Sequence, residues 1–167
     1  MLKKKAIVLV CTLIVLMLIS ISVLAEGARP FTGTYVKDTI GIGHGELKII
    51  NDNPQMDAVA VLKDTTDKTH MLAIYIRSNE SYTYSGIGEG SYNLYYEKGN
   101  NWNRSSDKFT DKVGFYRLDR SLLFKTTPIP NGYDYSIWTV ALESAASNAN
   151  ESIQKVTVNE DDFPALK

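Results

Sequence analysis

Aromatic side chains are the residues of this chain best suited to binding a ligand. The chain has ten tyrosines and two tryptophans, and an exposed aromatic ring can stack on the apolar face of a sugar. Tyr75 and Tyr95 fall at strand positions of opposite parity to the expected core, and Trp102 falls in a polar stretch beside Arg104. These four residues are the candidate ligand-binding site. The alternative is structural, because tyrosine and tryptophan are also favoured in strands, where their rings pack on the sheet.

The stretch from Asn100 to Lys112 would carry the centre of this site. It mixes Asn, Ser, Asp and Lys with little periodicity and is longer than an ordinary hairpin turn. We therefore expect an exposed, mobile loop that holds Trp102 and Arg104 beside several hydrogen-bonding groups. In the alternative, Trp102 folds back and covers the edge of the domain.

Catalytic and metal-binding side chains are present, but they lack the spacing of a known site. His44 and His70 are the two histidines, and they form no His-x-His or His-Glu-x-x-His pattern. The Gly-x-Ser-x-Gly motif of serine hydrolases is missing from the sequence. Aspartates such as Asp64 and Asp67 fall in predicted turns, where they are common because they hydrogen-bond nearby backbone. We predict a protein that is not an enzyme and holds no cofactor or metal, with a small secreted hydrolase as an alternative.

Two glycine-rich segments look alike, Gly41 to Gly45 and Gly86 to Gly90. Neither continues into the pattern of a phosphate-binding loop, and each leads into a predicted strand instead of a helix N-terminus. We interpret both as turns that use the positive φ angles open to glycine, with Ile42 and Ile87 as apolar plugs beneath them.

The first 25 residues have the pattern of an export signal. Three lysines precede an apolar run from Ala6 to Leu24, and Val23-Leu24-Ala25 is suited to signal peptidase cleavage before Glu26. An uncleaved membrane anchor formed by residues 6–24 is the alternative, because the run is long enough to cross a bilayer. In both cases residues 26–167 form one domain that is secreted or lies in the extracytoplasmic cell envelope.

Charge and cysteine content limit what this domain can bind. After the signal, 15 basic residues stand against 19 acidic ones, a formal charge of −4, which gives no general attraction to nucleic acid or anionic lipid. The one cysteine, Cys11, lies in the signal, so the domain is held by its core without disulfides. The expected partner is an envelope protein or a glycan, and membrane contact is expected solely through an uncleaved N-terminal segment.

Segments of β-branched and aromatic residues recur about ten residues apart and alternate with clusters of Gly, Asn, Asp and Pro. This rhythm predicts an all-β fold, a single antiparallel β-sandwich of the prealbumin-like or immunoglobulin-like type. The predicted strands are Phe31–Val36, Glu46–Asn51, Asp57–Lys63, His70–Arg77, Ser81–Tyr84, Ser91–Glu97, Ser121–Thr126 and Tyr133–Leu142, with a short last strand at Ile153–Val158.

The pattern inside the strands predicts where the core lies. Tyr92 and Leu94 occupy alternate positions and should share one buried face. The segment from Ala58 to Leu62 is apolar at every position, which predicts a central strand covered on both faces. Glu143 to Gln154 lacks an apolar stripe and is predicted to be a polar loop.

One segment resembles a known family. Ile74-Tyr75-Ile76 is followed by a polar turn, a second strand, Gly86-Ile87-Gly88-Glu89-Gly90 and then Ser91-Tyr92-Asn93-Leu94. This order resembles the core of prealbumin-like sandwich modules, such as the regulatory domain of carboxypeptidases and the stalk repeats of Gram-positive adhesins. With Gly99 to Trp102 and Phe109-Thr110, it is also similar to uncharacterised β-rich domains of exported bacterial proteins.

The resemblance implies a sandwich fold and leaves the activity open, because such modules are mostly adaptors, spacers or sugar binders. The chain lacks an evident Lys/Asn/acid trio for an isopeptide bond and a Leu-Pro-x-Thr-Gly sorting signal. We therefore expect a non-catalytic binding or interaction module of the cell envelope or extracellular space. A carbohydrate-binding protein that uses exposed Tyr and Trp is the alternative.

Overall fold

A computed structural model describes residues 29–143, 146–148 and 151–167. The predicted signal peptide or anchor, with Cys11, lies outside the described residues. The described chain is strands and turns with one short 3₁₀ helix, η1, at Glu160–Asp162. The strands are β1 Thr34–Asp38, β2 Ile42–Asn51, β3 Asp57–Asp64, β4 Met71–Ile76, β5 Glu80–Ile87, β6 Gly90–Asn103, β7 Lys108–Leu118, β8 Leu122–Phe124, β9 Thr126–Ile129, β10 Gly132–Tyr135, β11 Ile137–Ala141, β12 Ala146–Asn148, β13 Glu151–Ile153 and β14 Lys155–Thr157.

Two sheets form the sandwich, which confirms the predicted all-β class. The larger sheet has the order β1-β4-β3-β6-β7-β14, and β8 pairs with the first residues of β6. The smaller sheet has the order β11-β2-β5, in which β2 is antiparallel to β5 and parallel to β11. β9 pairs with β10, and β12 pairs with β13, each in an antiparallel two-stranded sheet. None of the helical structure in the described part of the chain is long or apolar enough to cross a membrane.

The inner core lies between the two sheets. Leu47 and Ile49 of the smaller sheet face Ala60, Leu62 and other apolar residues of the larger one. Tyr92 and Leu94 are buried here on one face of β6, so their prediction as core residues is confirmed. The alternation of buried residues along β6 follows from the pleat, which sends successive side chains to opposite faces.

A second core covers the outer face of the larger sheet. Val59 and Val61 of β3 point to this face, while Ala58, Ala60 and Leu62 point to the inner one. The whole segment is therefore buried, and β3 lies between β4 and β6 as the apolar run predicts. The outer core is covered by side chains of the β6–β7 hairpin and of the C-terminal segment: Tyr95, Trp102, Phe163 and Leu166.

The prediction of a mobile loop from Asn100 to Lys112 is wrong, because most of this segment belongs to the paired strands β6 and β7. β6 and β7 form a long hairpin with Trp102 opposite Phe109, and the turn is stabilised by the Asn103 side chain, whose Oδ1 accepts hydrogen bonds from the backbone N–H groups of Ser105 and Ser106. Aromatic residues facing each other across two strands stabilise the pairing. The polar composition that suggested a loop belongs to the exposed positions of a hairpin.

Other strand predictions hold with shifted bounds. Each predicted strand overlaps an observed one, and Tyr133–Leu142 divides into β10 and β11. The patterns missed β7 and β12 and met β9 and β13 at a single residue each. The polar loop predicted at Glu143–Gln154 contains the short strands β12 and β13 within its described residues.

The two glycine-rich segments contact each other. Of the two isoleucines predicted to be buried beneath them, only one is. Ile87 is fully buried, but Ile42 is 98% exposed. The backbones approach closely instead: a Cβ on Gly43 would lie 2.5 Å from the carbonyl oxygen of Ile87, and Gly88 N–H donates to Gly41 O at 2.9 Å. Gly86 has the expected positive φ, at 100°, whereas Gly43 is needed for close approach.

Candidate functional site

A cavity of about 770 Å³ opens on the outer face of the larger sheet. We call it the Trp102 cavity. The β6–β7 hairpin contributes Asn100, Asn101, Trp102 and Asn103 to its lining, and Thr110 and Asp111 follow on β7. The rest of the lining includes Asp57 at the start of β3, Tyr75 near the end of β4, and Arg29 and Ser78, which lie outside the strands. The cavity therefore brings together residues that are far apart in the sequence.

Trp102 packs beside Phe109, which lies directly against Gly99. A Cβ on Gly99 would lie 2.6 Å from the Phe109 side chain, so the missing side chain of Gly99 leaves room for Phe109. The Trp102 ring packs edge-on against Phe109 at 4.9 Å and against Tyr75 at 5.6 Å between centroids. Trp102 is therefore half-buried, with one part of its ring in the outer core and the other in the cavity wall.

An ion pair with several hydrogen bonds forms the floor near Tyr75. Arg29 Nε donates to Asp57 Oδ2 at 2.6 Å, and its Nη2 contacts Oδ1. The Tyr75 hydroxyl donates to the same carboxylate, and Ser78 N–H donates to Oδ1 at 2.9 Å. Both carboxylate oxygens are thus bonded to donors, as a buried charge requires.

These contacts fix the protonation states of the cluster. Burial acts to raise the pKa of Asp57, but hydrogen bonds from Arg29, Tyr75 and Ser78 outweigh it and hold the pKa below its usual value. Burial and the bond to Asp57 raise the pKa of the Tyr75 hydroxyl, and the bond to Asp57 raises that of Arg29. At neutral pH the cluster is a carboxylate, a guanidinium and a neutral phenol.

The structure separates the four predicted site residues. Tyr75 and Trp102 line the Trp102 cavity, whereas Tyr95 lies on the same face against Phe163, 6.2 Å between ring centroids. Arg104 is an exposed residue of the hairpin turn, outside the lining.

The expected exposure of Tyr75 is wrong: it is 1% exposed. Its strand parity does place it on the face opposite the inner core, but that face is itself covered by the outer core. Tyr75 therefore presents little ring surface for stacking. Its contribution to the cavity is the hydroxyl bound to Asp57.

Sequence reasoning placed Asn101 beside Trp102 but missed Arg29, Asp57 and Asp111 as cavity residues. Of these residues, Asp57 could have been recognised from the sequence, because it directly precedes the apolar run from Ala58 to Leu62. A carboxylate buried at the start of such a strand needs a cation or a hydrogen-bond donor as partner. Its partner Arg29 lies on another segment, and a single sequence does not show that contact.

The two histidines contact different partners. His44 stacks on Tyr133 with 4.4 Å between ring centroids, and His70 Nδ1 lies 3.6 Å from Asp67 Oδ2. Asp64 Oδ1 accepts from the backbone of Thr66 and Asp67, which confirms the turn role predicted for it. Within residues 29–143, 146–148 and 151–167, no group of three or more His, Cys, Asp or Glu side chains could hold a metal ion.

Comparison with known proteins finds no match: no family model, curated protein sequence or solved structure is significantly similar to this chain.

Proposed function

We propose that the protein is an exported, non-catalytic binding module of the cell envelope, and that the Trp102 cavity binds a glycan. The observation that carries this proposal is a half-buried tryptophan ring set among amide, hydroxyl and carboxylate groups in one concave site. A sugar offers both an apolar ring face and a dense set of hydroxyl groups. The lining of the cavity can meet both.

The charge of the cavity disfavours an anion and leaves room for a neutral polar ligand. Arg29 and Asp57 neutralise each other, and Asp111 adds a negative charge to the lining. Three asparagines, Asn100, Asn101 and Asn103, line the cavity. The Asn103 oxygen already accepts from the hairpin turn, whereas the Asn101 amide can both donate to and accept from a ligand. The volume of about 770 Å³ is within the usual range of small-molecule sites.

The non-catalytic part of the proposal rests on the state of Asp57. Glycoside hydrolysis commonly uses two carboxyl groups, one of which must stay protonated near neutral pH to act as an acid. Asp57 suits neither role, since its lowered pKa keeps it ionised and both of its oxygens are bonded to Arg29, Tyr75 and Ser78 instead of facing a sugar. It is suited to holding the cavity wall in place.

Binding should be tested with soluble cell-envelope oligosaccharides, by calorimetry and by NMR detection of ligand contacts. Asn101→Gly is the informative variant, because Asn101 has a φ of 55° that glycine adopts without strain. It removes the amide and keeps the backbone. We expect about fivefold weaker binding, since a hydrogen bond at a binding site contributes on the order of 1 kcal/mol.

Asn79→Gly is the matched control, because Asn79 has a φ of 58° and lies outside the cavity lining. It should bind like the unmodified protein. The proposal fails if no oligosaccharide binds, if both variants lose affinity equally, or if the sugar is cleaved during the experiment.

A further inference from the structure

Glu97 is a buried acid that the Trp102 cavity does not use. It lies on β6 between Val59 of β3 and Phe115 of β7 and is 2% exposed. Its Oε1 has no hydrogen-bond partner among the described residues. Burial raises the pKa of Glu97 to about 8, with Lys108 acting to lower it and Glu160 to raise it. A buried acid without a partner for one oxygen is costly to the fold, so it calls for a role.

Glu97 lines a second cavity, of about 340 Å³, which we call the Glu97 cavity. Its apolar wall is formed by Phe115 of β7 and by Phe163 and Leu166 of the C-terminal segment. The rings of Phe115 and Phe163 are 5.2 Å apart between centroids and tilted toward each other. Because one water occupies about 30 Å³ in the liquid, this space is far larger than a single bridging water needs.

The charges at the rim favour a cation over an anion. Lys108 Nζ bonds Glu160 Oε1 at 2.8 Å, and Lys167 Nζ lies 3.6 Å from Asp107 Oδ2. Both lysines are therefore already opposite a carboxylate. Asp161 adds a further negative charge to the lining, so an entering anion would meet paired cations and net negative charge.

We propose that the Glu97 cavity binds a small organic ammonium ion. Glu97 releases its proton to water when the ion binds, the ammonium group then donates to the Glu97 carboxylate, and the alkyl groups contact Phe115, Phe163 and Leu166. Carboxylate and aromatic rings together are the chemistry that recognises organic cations, through a charge-assisted hydrogen bond and cation–π attraction. A divalent metal ion fits less well, because it needs several oxygen ligands and the described residues hold no cluster of three such side chains.

This site is separate from the proposed glycan site. The turn of the β6–β7 hairpin contributes Ser105 to the Trp102 cavity and Ser106 and Asp107 to the Glu97 cavity, and the two linings share no residue. One can therefore be occupied, or disproved, without the other.

The experiment uses n-butylammonium chloride as the probe, with 1-butanol as its neutral counterpart and sodium chloride to match ionic strength. The side-chain carboxyl carbon of Glu97 is followed by ¹³C NMR from about pH 6 to about pH 10. We expect butylammonium to lower the pKa of Glu97 and to give saturable shifts at Phe163 and Leu166. Butanol should leave the pKa of Glu97 unchanged.

Glu97→Gln keeps the size of the side chain and removes its charge, so butylammonium affinity should fall by about tenfold or more. Glu46→Gln, which removes a carboxylate from the smaller sheet, should leave it unchanged. The proposal is overturned if butanol and butylammonium bind alike, if the pKa of Glu97 does not move, or if Glu97→Gln binds as before. Should Glu97→Gln fail to fold, the comparison of the two probes on the unmodified protein decides.

Discussion

Burial leaves two of the acids in this protein charged and a third one protonated. Glu143 accepts hydrogen bonds from Asn53, Lys155 and Lys98, which outweigh burial and lower its pKa to about 2. Asp57 is held charged in the same manner. Glu97 has no such set of donors, and burial keeps it protonated up to about pH 8. The number of donors around each carboxyl group decides its charge state.

The pH dependence of stability should reveal Glu97. Its pKa rises from 4.5 to about 8 on folding, so between these values the folded chain retains a proton that the unfolded chain has lost. The free energy of unfolding should therefore fall as pH rises through this window. Urea unfolding should show a free energy of unfolding that is about 3–4 kcal/mol lower at about pH 8 than at about pH 5, and Glu97→Gln should remove this difference.

Glu46→Gln should retain the decrease. Asp57 and Glu143 act in the other direction, because their pKa values are lower in the folded state. Their contribution to the free energy of unfolding is fully present above the pKa of the unfolded state and is lost as pH falls through the pKa of the folded state. A free energy of unfolding that is the same at both pH values in the unmodified protein would contradict a protonated Glu97.

Trp102 is a packing residue as well as a cavity residue. Its ring contacts Tyr75 and Phe109 in the outer core, so Trp102→Ala should lower the free energy of unfolding by about 2–4 kcal/mol. Thermal or urea unfolding measures this. Arg104→Ala, in the exposed turn, should change stability by less than about 0.5 kcal/mol. If Trp102→Ala melts like the unmodified protein, Trp102 is free of the outer core.

At the scale of strands, the two glycine-rich segments allow a matched comparison. A Cβ on Gly43 would lie 2.5 Å from the Ile87 carbonyl oxygen, whereas one on Gly41 would meet nothing within 4 Å. Gly43→Ala should therefore lower the free energy of unfolding by about 1–3 kcal/mol, and Gly41→Ala should change it by less than about 0.5 kcal/mol. Equal effects of the two changes would show that the segments do not approach as described.

The inner face of β6 can be tested at Leu94. Leu94 is fully buried between the sheets, so Leu94→Ala should cost about 2–5 kcal/mol of stability. Thr83→Ala, at an exposed position of β5, serves as the comparison and should stay within about 0.5 kcal/mol. A small effect of Leu94→Ala would place that side chain outside the core.

These strand-level features explain what sequence patterns predicted and what they missed. Alternation and apolar runs are local, so they located β3, β4 and β6 and the burial of Tyr92 and Leu94. β7 was missed because its pairing depends on Phe109 meeting Trp102 across the hairpin, a contact that composition does not show. The candidate site was predicted in part: Trp102 lines the cavity, but its polar wall depends on Arg29 reaching Asp57 from a distant segment.

The prediction that Tyr75 is exposed was wrong for a related reason. Strand parity tells which face a side chain points to, and it cannot tell whether that face is covered. In the larger sheet both faces are covered, the outer one by the hairpin and the C-terminal segment. Alternation along a strand predicts which side chains are exposed only when one face of the sheet is open to solvent.

At the scale of the whole molecule, the described residues form a sandwich and the export signal stays a prediction. The lysine cluster, the apolar run and Val23-Leu24-Ala25 predict cleavage before Glu26. Intact-mass analysis of the protein recovered outside the cytoplasm should give a chain that begins at Glu26. A full-length chain in the membrane fraction would indicate an anchor at residues 6–24 instead.

The parallel pairing of β2 with β11 determines when the smaller sheet can be completed. Its register joins Glu46 to Ile137, so any chain that ends before Ile137 leaves one edge of β2 without its partner. An open edge can pair with other chains, and contacts between distant segments form slowly because a long loop must close first. A chain that emerges N-terminus first, from a ribosome or through a membrane pore, thus carries an incomplete and association-prone sheet until Ile137–Ala141 has emerged.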